Sequence, residues 1–133
     1  LYTEELSFVK LRARFALRVK TTAHNVAYTY TTRNELLEDG IDATTATRAF
    51  VNVMGDIKGV DVWVAFAEGD EGIACELRSA NRNINPIAVK YGGGGHAKAS
   101  GATVNSQSIA MDMLRDLDAL AEGKTATNTL ETT

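Results

Sequence analysis

Residues 60–80, VDVWVAFAEGDEGIACELRSA, hold the pattern from which the central strand pairing of this chain follows. Apart from Asp61, residues 60–67 form an apolar run rich in β-branched and aromatic side chains, which predicts a strand. The glycines and acids of EGDEG, residues 68–72, predict a turn. Residues 73–80 then alternate. Ile73, Cys75, Leu77 and Ser79 share one face, and Ala74, Glu76, Arg78 and Ala80 share the other. Two strands joined by a five-residue connection make a hairpin.

Toward the N-terminus, residues 4–17 fit two periods. Phe8, Leu11, Phe15 and Val19 follow helical spacing, while Val9, Leu11, Ala13, Phe15, Leu17 and Val19 alternate as in a strand. The reading adopted is a helix that hands over to a strand near Ala16. Residues 17–32, LRVKTTAHNVAYTYTT, then predict a hairpin turning at Ala23-His24-Asn25. Thr32 and Glu35 form a capping box for a short helix closed by Gly40. Asp42 caps the next helix, which carries Ala46, Ala49, Phe50 and Val53 and ends near Gly55.

Toward the C-terminus, NINPIAVKYG predicts a helix with Asn85 as cap, Pro86 at its first position, and Ile84, Ile87, Ala88 and Tyr91 on one face. GATV, residues 101–104, predicts a short strand. Ser106 caps a last helix with Ile109, Met113, Leu117 and Leu120 inward and Gly123 at its end. Residues 124–133 lack a core-forming pattern and predict a disordered tail. The sum is an α+β domain, a small and mostly antiparallel sheet with packed helices.

The chain has 133 residues, suited to one domain. Its 44 % hydrophobic and 23 % charged content fits a soluble folded protein. No apolar run is of membrane-spanning length. The chain begins with Leu1 rather than Met and is read as a piece of a longer protein. Cys75 is the single cysteine, which excludes an internal disulfide framework and suits a reducing, cytoplasmic setting. Its apolar neighbours predict a small buried hydrophobe rather than a nucleophile. A net charge of −3 argues against broad, non-specific nucleic-acid binding.

The charge is unevenly spread. No Asp or Glu occurs from Leu77 to Met111, a window holding Arg78, Arg82, Lys90, His96 and Lys98. In it lies KYGGGGHAKASGATV, residues 90–104. Four successive glycines carry an entropic cost that implies a use for bare backbone. The run follows a predicted helix and leads into a strand, the reverse of a dinucleotide-binding turn. It lacks the Gly-Lys-Ser/Thr ending of a nucleotide-hydrolase phosphate loop. It is too short, and too closely flanked by Tyr91 and His96, for a linker. The expectation is a backbone nest for an anion, with His96 as a directional donor. For Arg78 two readings stay open: a guanidinium fork for phosphate, or a salt bridge with Glu76 on its own strand face. Arg82, Asn81 and Asn83 are weaker candidates for similar work. His24, in a predicted turn, is given a structural role. No histidine has a partner at metal-ligand spacing, and no nucleophile–base pair or carboxylate cluster is evident. From its residues alone this is an anion- or nucleotide-binding module.

The sequence resembles the C-terminal, DHH-associated domain of the DHH phosphoesterase family. GGGGHAKASGAT carries the resemblance, preceded in order by AYTYTTRNELLEDGI, NVMGDIKGVDVWVAFAEG and CELRSA. It extends over roughly residues 5–122 and lies nearest the branch of oligoribonucleases that also dephosphorylate 3′-phosphoadenosine 5′-phosphate. The resemblance implies a substrate-binding domain of a hydrolase. Arg78 and Ser79 would contact phosphate or nucleotide, Gly93, Gly94, Gly95 and His96 would cradle a phosphate, and Ser100 and Gly101 would line the same pocket. It also implies an N-terminal DHH domain holding two metal ions, usually manganese, that activate water. This chain contains no Asp-His-His, and its one Asp-x-Asp, Asp116-Leu117-Asp118, falls within the predicted last helix. Residues 1–18 are therefore expected to link to a separate catalytic domain, residues 19–123 to bind substrate, and the chain alone to bind without hydrolysing. With only Tyr91 near the basic window for stacking, a short RNA or nucleotide ligand is expected. Two alternatives stand beside this reading: a cyclic-dinucleotide phosphodiesterase, and a non-catalytic nucleotide- or RNA-binding module.

Overall fold

The computed structural model describes residues 5–123. The elements run α1 (Leu6–Leu17), β1 (Lys20–Thr21), β2 (Ala27–Thr31), α2 (Arg33–Asp39), α3 (Ala43–Phe50), a 3₁₀ turn (Val51–Asp56), β3 (Val62–Gly69), β4 (Gly72–Ser79), α4 (Asn85–Lys90), β5 (Gly94–His96), β6 (Ala99–Val104) and α5 (Gln107–Glu122). The tail expected at residues 124–133 lies outside the described residues.

The local capping signals act as their chemistry requires. Thr32 and Glu35 form a reciprocal capping box, and Gly40 closes α2 in the left-handed region at φ 70°. Asp42 accepts from the Thr45 N–H and starts α3. Ser106 accepts from the Ile109 N–H, and Gly123 ends α5 at φ 89°. Asn85 is not the cap of α4. That helix begins at Asn85 itself after Ile84, and Asn83 Oδ1 accepts the Asn85 N–H at 3.2 Å. Nor does α3 continue to Gly55. It tightens into the 3₁₀ turn after Phe50, leaving Ala49 exposed.

The strands form one six-stranded sheet in the order β1-β2-β3-β4-β6-β5. Every pairing is antiparallel except β2–β3, which is parallel, Ala27 facing Trp63 through Thr31 facing Ala67. A parallel neighbour needs a crossover, and α2, α3 and the 3₁₀ turn supply it. The β3–β4 hairpin is tighter than the five-residue connection expected. Gly69 pairs with Gly72, so only Asp70 and Glu71 turn the chain, with Gly72 at φ 128°.

The sheet has two unequal faces. On one, Val62, Val64 and Phe66 of β3 join Ile73, Cys75 and Leu77 of β4 beneath α4 and α5. Met113, Leu117 and Leu120 pack there as expected, although Ile87 is only half-buried. On the other face Ala27, Trp63 and Ala65 are covered by Phe15 of α1, Phe50 of α3 and Met54. This second cover reaches across β2 and β3 and stops at Ala74 of β4, which packs beside Ala43 and Ala46. Beyond it, Glu76, Arg78, Gly94 and Gly101 line an open cleft, with no helix of the described residues packed over them.

A candidate anion-binding cleft on the uncovered half of the sheet

Where the helical cover ends, the sheet forms the floor of an open cleft of about 700 Å³. Thr44 and Arg48 of α3 make one wall, Glu76 and Arg78 of β4 the floor, and Gly94 and Gly101 the far side. Register explains the convergence. Glu76 pairs with Gly101 and Arg78 with Ala99 across β4–β6, while Gly94 pairs with Gly101 and His96 with Ala99 across β5–β6. Residues paired across a ladder share a face, so the uncovered side carries Glu76, Arg78, Ala99, Gly101, Gly94 and His96.

The salt-bridge reading of Arg78 holds. Its Nη1 lies 3.0 Å from Glu76 Oε2 and 2.9 Å from the Leu77 carbonyl, which fixes the guanidinium over the floor with further N–H donors left for a ligand. Glu76 Oε1 accepts from Arg48 Nε at 3.0 Å. Arg48 was not marked by the sequence. It lies 28 positions from Glu76, and only the packing of α3 on the sheet brings it there.

The four glycines do three different things. Gly92 and Gly93 donate their N–H groups to the carbonyls of Val89 and Ala88 at 3.0 and 2.8 Å, closing α4. Gly92 does so at φ 86°. These two amides are spent, so the run does not form a nest of four N–H groups. A Cβ on Gly93 would stand 1.9 Å from the Gly101 carbonyl oxygen, and one on Gly95, at φ 144°, 2.7 Å from that of Ala99. Both are required by the close approach of strands. A Cβ on Gly94 would meet nothing within 4 Å, because it would point into the cleft.

The other residues expected at the site divide. Gly101 lines the cleft, where a Cβ would come within 3.3 Å of Glu76 Oε1. Ser100 borders it but is buried, its hydroxyl donating to the His96 carbonyl at 2.7 Å and lying 3.1 Å from Asn85 Oδ1. Ser79 is not brought to the cleft. It is buried on the opposite face, with its hydroxyl donating to the Arg82 carbonyl and accepting the Arg82 N–H. Gly95 serves the strand, and His96 is exposed at the sheet edge without lining the cleft. Tyr91 turns away as well. It packs against the core under α5 and donates to Asp116 Oδ2 at 2.6 Å, so it offers no stacking surface here. Burial, and then that hydrogen bond, push its hydroxyl pKa far up.

The acid-free window is not acid-free in space. Arg82 pairs with Asp61 at 3.3 Å, Lys90 with Asp116 at 2.8 Å, and Arg78 with Glu76. Among the described residues, no ion pair holds Lys98. Cys75 contributes only backbone to the cleft wall. Its thiol faces the core, and burial raises its pKa to about 12, which leaves it unreactive. His24 is structural in an unexpected way. Its Nδ1 is 2.8 Å from Asp118 Oδ2 and its Nε2 is 3.2 Å from Glu122 Oε2, pinning the β1–β2 turn to α5. Among the described residues no group of three His, Cys, Asp or Glu side chains could hold a metal ion. None of their helices is long and apolar enough to cross a membrane.

Comparison with known proteins agrees with this fold. The profile of the DHHA1 domain matches residues 23–123. The chain is 35 % identical over 122 residues to a bifunctional oligoribonuclease and PAP phosphatase, NrnA, of Bacillus subtilis, and spans 39 % of that protein's length. It is 41 % identical over 69 residues to the protein of the same description from Mycoplasma genitalium, spanning 22 % of it. Among solved structures, an exopolyphosphatase-related protein from Bacteroides fragilis superposes with a TM-score of 0.77 at 24 % identity, over 90 % of this chain and 37 % of that one. A pGpG-specific phosphodiesterase, PggH, from Vibrio cholerae superposes at 0.62 and 18 % identity, over 88 % of this chain and 39 % of that one. At these identities the superpositions establish the fold.

Proposed function

The chain belongs to the DHHA1 domain family, and on that premise we propose that it is the substrate-binding domain of a metal-dependent phosphoesterase acting on short oligoribonucleotides or nucleoside bisphosphates. The observation that carries the reading is the bare half-face of the sheet. Arg78 is fixed on its floor, Arg48 overhangs it, and Gly94 leaves it open. Guanidinium groups over a backbone-lined floor suit phosphate oxygens, which accept charge-assisted hydrogen bonds in a forked geometry. The floor is short and lacks an aromatic platform, which suits a terminal phosphate or a few nucleotides rather than extended RNA. The activity described for the Bacillus relative supports the substrate class.

The manganese ions implied by the family do not fit the described residues of this chain, which offer no ligand cluster. We assign metal binding and bond cleavage to a DHH domain of the same protein and derive no step through the metal here. This domain's part is to grip and orient. It holds the non-reacting portion of the ligand so that the scissile phosphate is presented to the other domain.

Calorimetry with 3′-phosphoadenosine 5′-phosphate tests the reading. The chain binds, and Arg78→Ala weakens binding about 10–100-fold, the effect of one charge-assisted bond to phosphate. Equal affinity in the variant, with a lowered melting temperature, would show that Arg78 only braces Glu76 and that the ligand goes elsewhere.

A further inference from the structure

We propose that Glu76 is a built-in counter-anion: its carboxylate stands where a ligand phosphate binds, between Arg48 and Arg78, and sets the affinity of the cleft because it must be exchanged. This rests on the reading of the cleft as an anion site.

The geometry is that of a bound anion. Glu76 Oε1 accepts from Arg48 Nε and Oε2 from Arg78 Nη1, each at 3.0 Å. One carboxylate thus bridges two guanidinium groups that belong to different elements. Two oxygens of a phosphate present the same pair of acceptors with more charge. The fold keeps space for this carboxylate. Across the β4–β6 ladder Glu76 faces Gly101, and a Cβ there would crowd Oε1 at 3.3 Å.

The Arg48 half of the bridge is poorly suited to being a structural tie, whereas the Arg78 half is largely buried. Arg48's side chain is 70 % exposed, so this half of the bridge is held in water and screened, and such pairs add little stability. The fold does not depend on it for docking α3, which Ala43, Ala46 and Phe50 bury against the sheet. Glu76 does matter for the charge of the site. Two guanidinium groups alone give the floor a charge of +2, and the carboxylate reduces it to +1. It also occupies donors that a ligand would use. A phosphate entering beside an undisplaced Glu76 meets a like charge. If instead the carboxylate swings toward the open mouth of the cleft, the ligand inherits both guanidinium bonds. Binding is then an exchange of anions, and Glu76 lowers affinity so that a phosphate ligand is released as well as held.

The test compares Glu76→Gln, which keeps the shape and removes the charge, with Glu71→Gln, which makes the same change of net charge in the β3–β4 turn away from the cleft. Binding of 3′-phosphoadenosine 5′-phosphate and of inorganic sulfate is measured by calorimetry at low salt, and amide shifts are mapped by NMR. Glu76→Gln should bind both about tenfold more tightly, as expected for removing one like charge near a partly exposed anion site. Glu71→Gln should match the wild type. Glu76→Ala, folded by its melting curve, should bind at least as tightly as wild type. If the wild type binds with shifts at Arg48, Arg78 and Gly94 but Glu76→Gln binds equally or more weakly, Glu76 is a strut for Arg78 and the proposal fails while the cleft stands. If neither protein shifts those residues, the cleft is not an anion site and both readings fall.

Discussion

On one face of the sheet, Val62, Val64, Phe66, Ile73, Cys75 and Leu77 disappear beneath α4 and α5; on the other, the cover ends at the start of β4 and leaves Glu76, Arg78, Gly94 and Gly101 lining an open cleft. The covered face carries Val, Phe, Ile, Cys and Leu, and its neighbours across the layer are Met113, Leu114 and Leu117. The bare half-face carries charges and glycines. The same strand, β4, serves both, alternating a core residue with a cleft residue along its length. Substitutions on the two faces should therefore act differently. Changes on the covered face should cost stability and leave binding intact in whatever remains folded. Changes on the bare face should alter binding and cost little stability. The glycine run crosses the boundary, with Gly93 and Gly95 serving the strands and Gly94 the cleft.

The largest expected effect is on the covered face. Phe66→Ala removes a wholly buried ring at the centre of the sheet and should destabilise by about 3–5 kcal/mol in urea denaturation. A cost below about 1 kcal/mol would mean that α5 does not pack as described. Next comes the boundary. Gly93→Ala drives a methyl into the Gly101 carbonyl, and the β5–β6 hairpin must part from the end of α4 to relieve it. A loss of about 3 kcal/mol is expected, at the upper end for overpacking. Gly94→Ala, one position on, should change stability by less than about 0.5 kcal/mol, the usual range for an exposed site. Equal losses at the two positions would erase the division of labour between them.

A smaller effect concerns the clasp between the β1–β2 turn and α5. Burial pushes the Asp118 carboxyl up, but the His24 ring, the Thr22 hydroxyl and the His24 N–H together bring it below the ordinary carboxylate range. A carboxylate with a depressed native pKa stabilises above its unfolded value, about 3.9, and that stability fades as pH falls through the native value. Asp118→Asn should therefore destabilise by about 1–2 kcal/mol at pH 7. The gap from wild type should narrow as pH falls below about 3.9 and the wild-type carboxyl protonates. A gap that persists in acid would assign the loss to packing rather than to charge.

What the sequence made legible follows from range. Caps are local, so Thr32 with Glu35, Asp42, Ser106, Gly40 and Gly123 each marked a helix end that the structure keeps. Alternation is local too, and it put Glu76 and Arg78 on one face and Ser79 on the other. That pattern already opposed a ligand role for Ser79 beside Arg78, and the buried hydroxyl follows the pattern. The parallel pairing of β2 with β3 joins segments more than thirty residues apart, and no local signal encodes it. Arg48 shares this limit, because its partner Glu76 lies across the layer boundary. The acid-free window misled for the same reason. Asp61 and Asp116, distant in sequence, return to neutralise Arg82 and Lys90.

The central claim is that a phosphate ligand binds the bare half-face and not the covered one. Amide chemical-shift mapping of the chain with 3′-phosphoadenosine 5′-phosphate tests it most directly. Shifts should concentrate at Arg48, Glu76, Arg78, Gly94 and Gly101 and leave α5, from Gln107 to Glu122, unmoved. Saturating shifts along α5 or the His24 turn, with Gly94 and Gly101 unchanged, would contradict it.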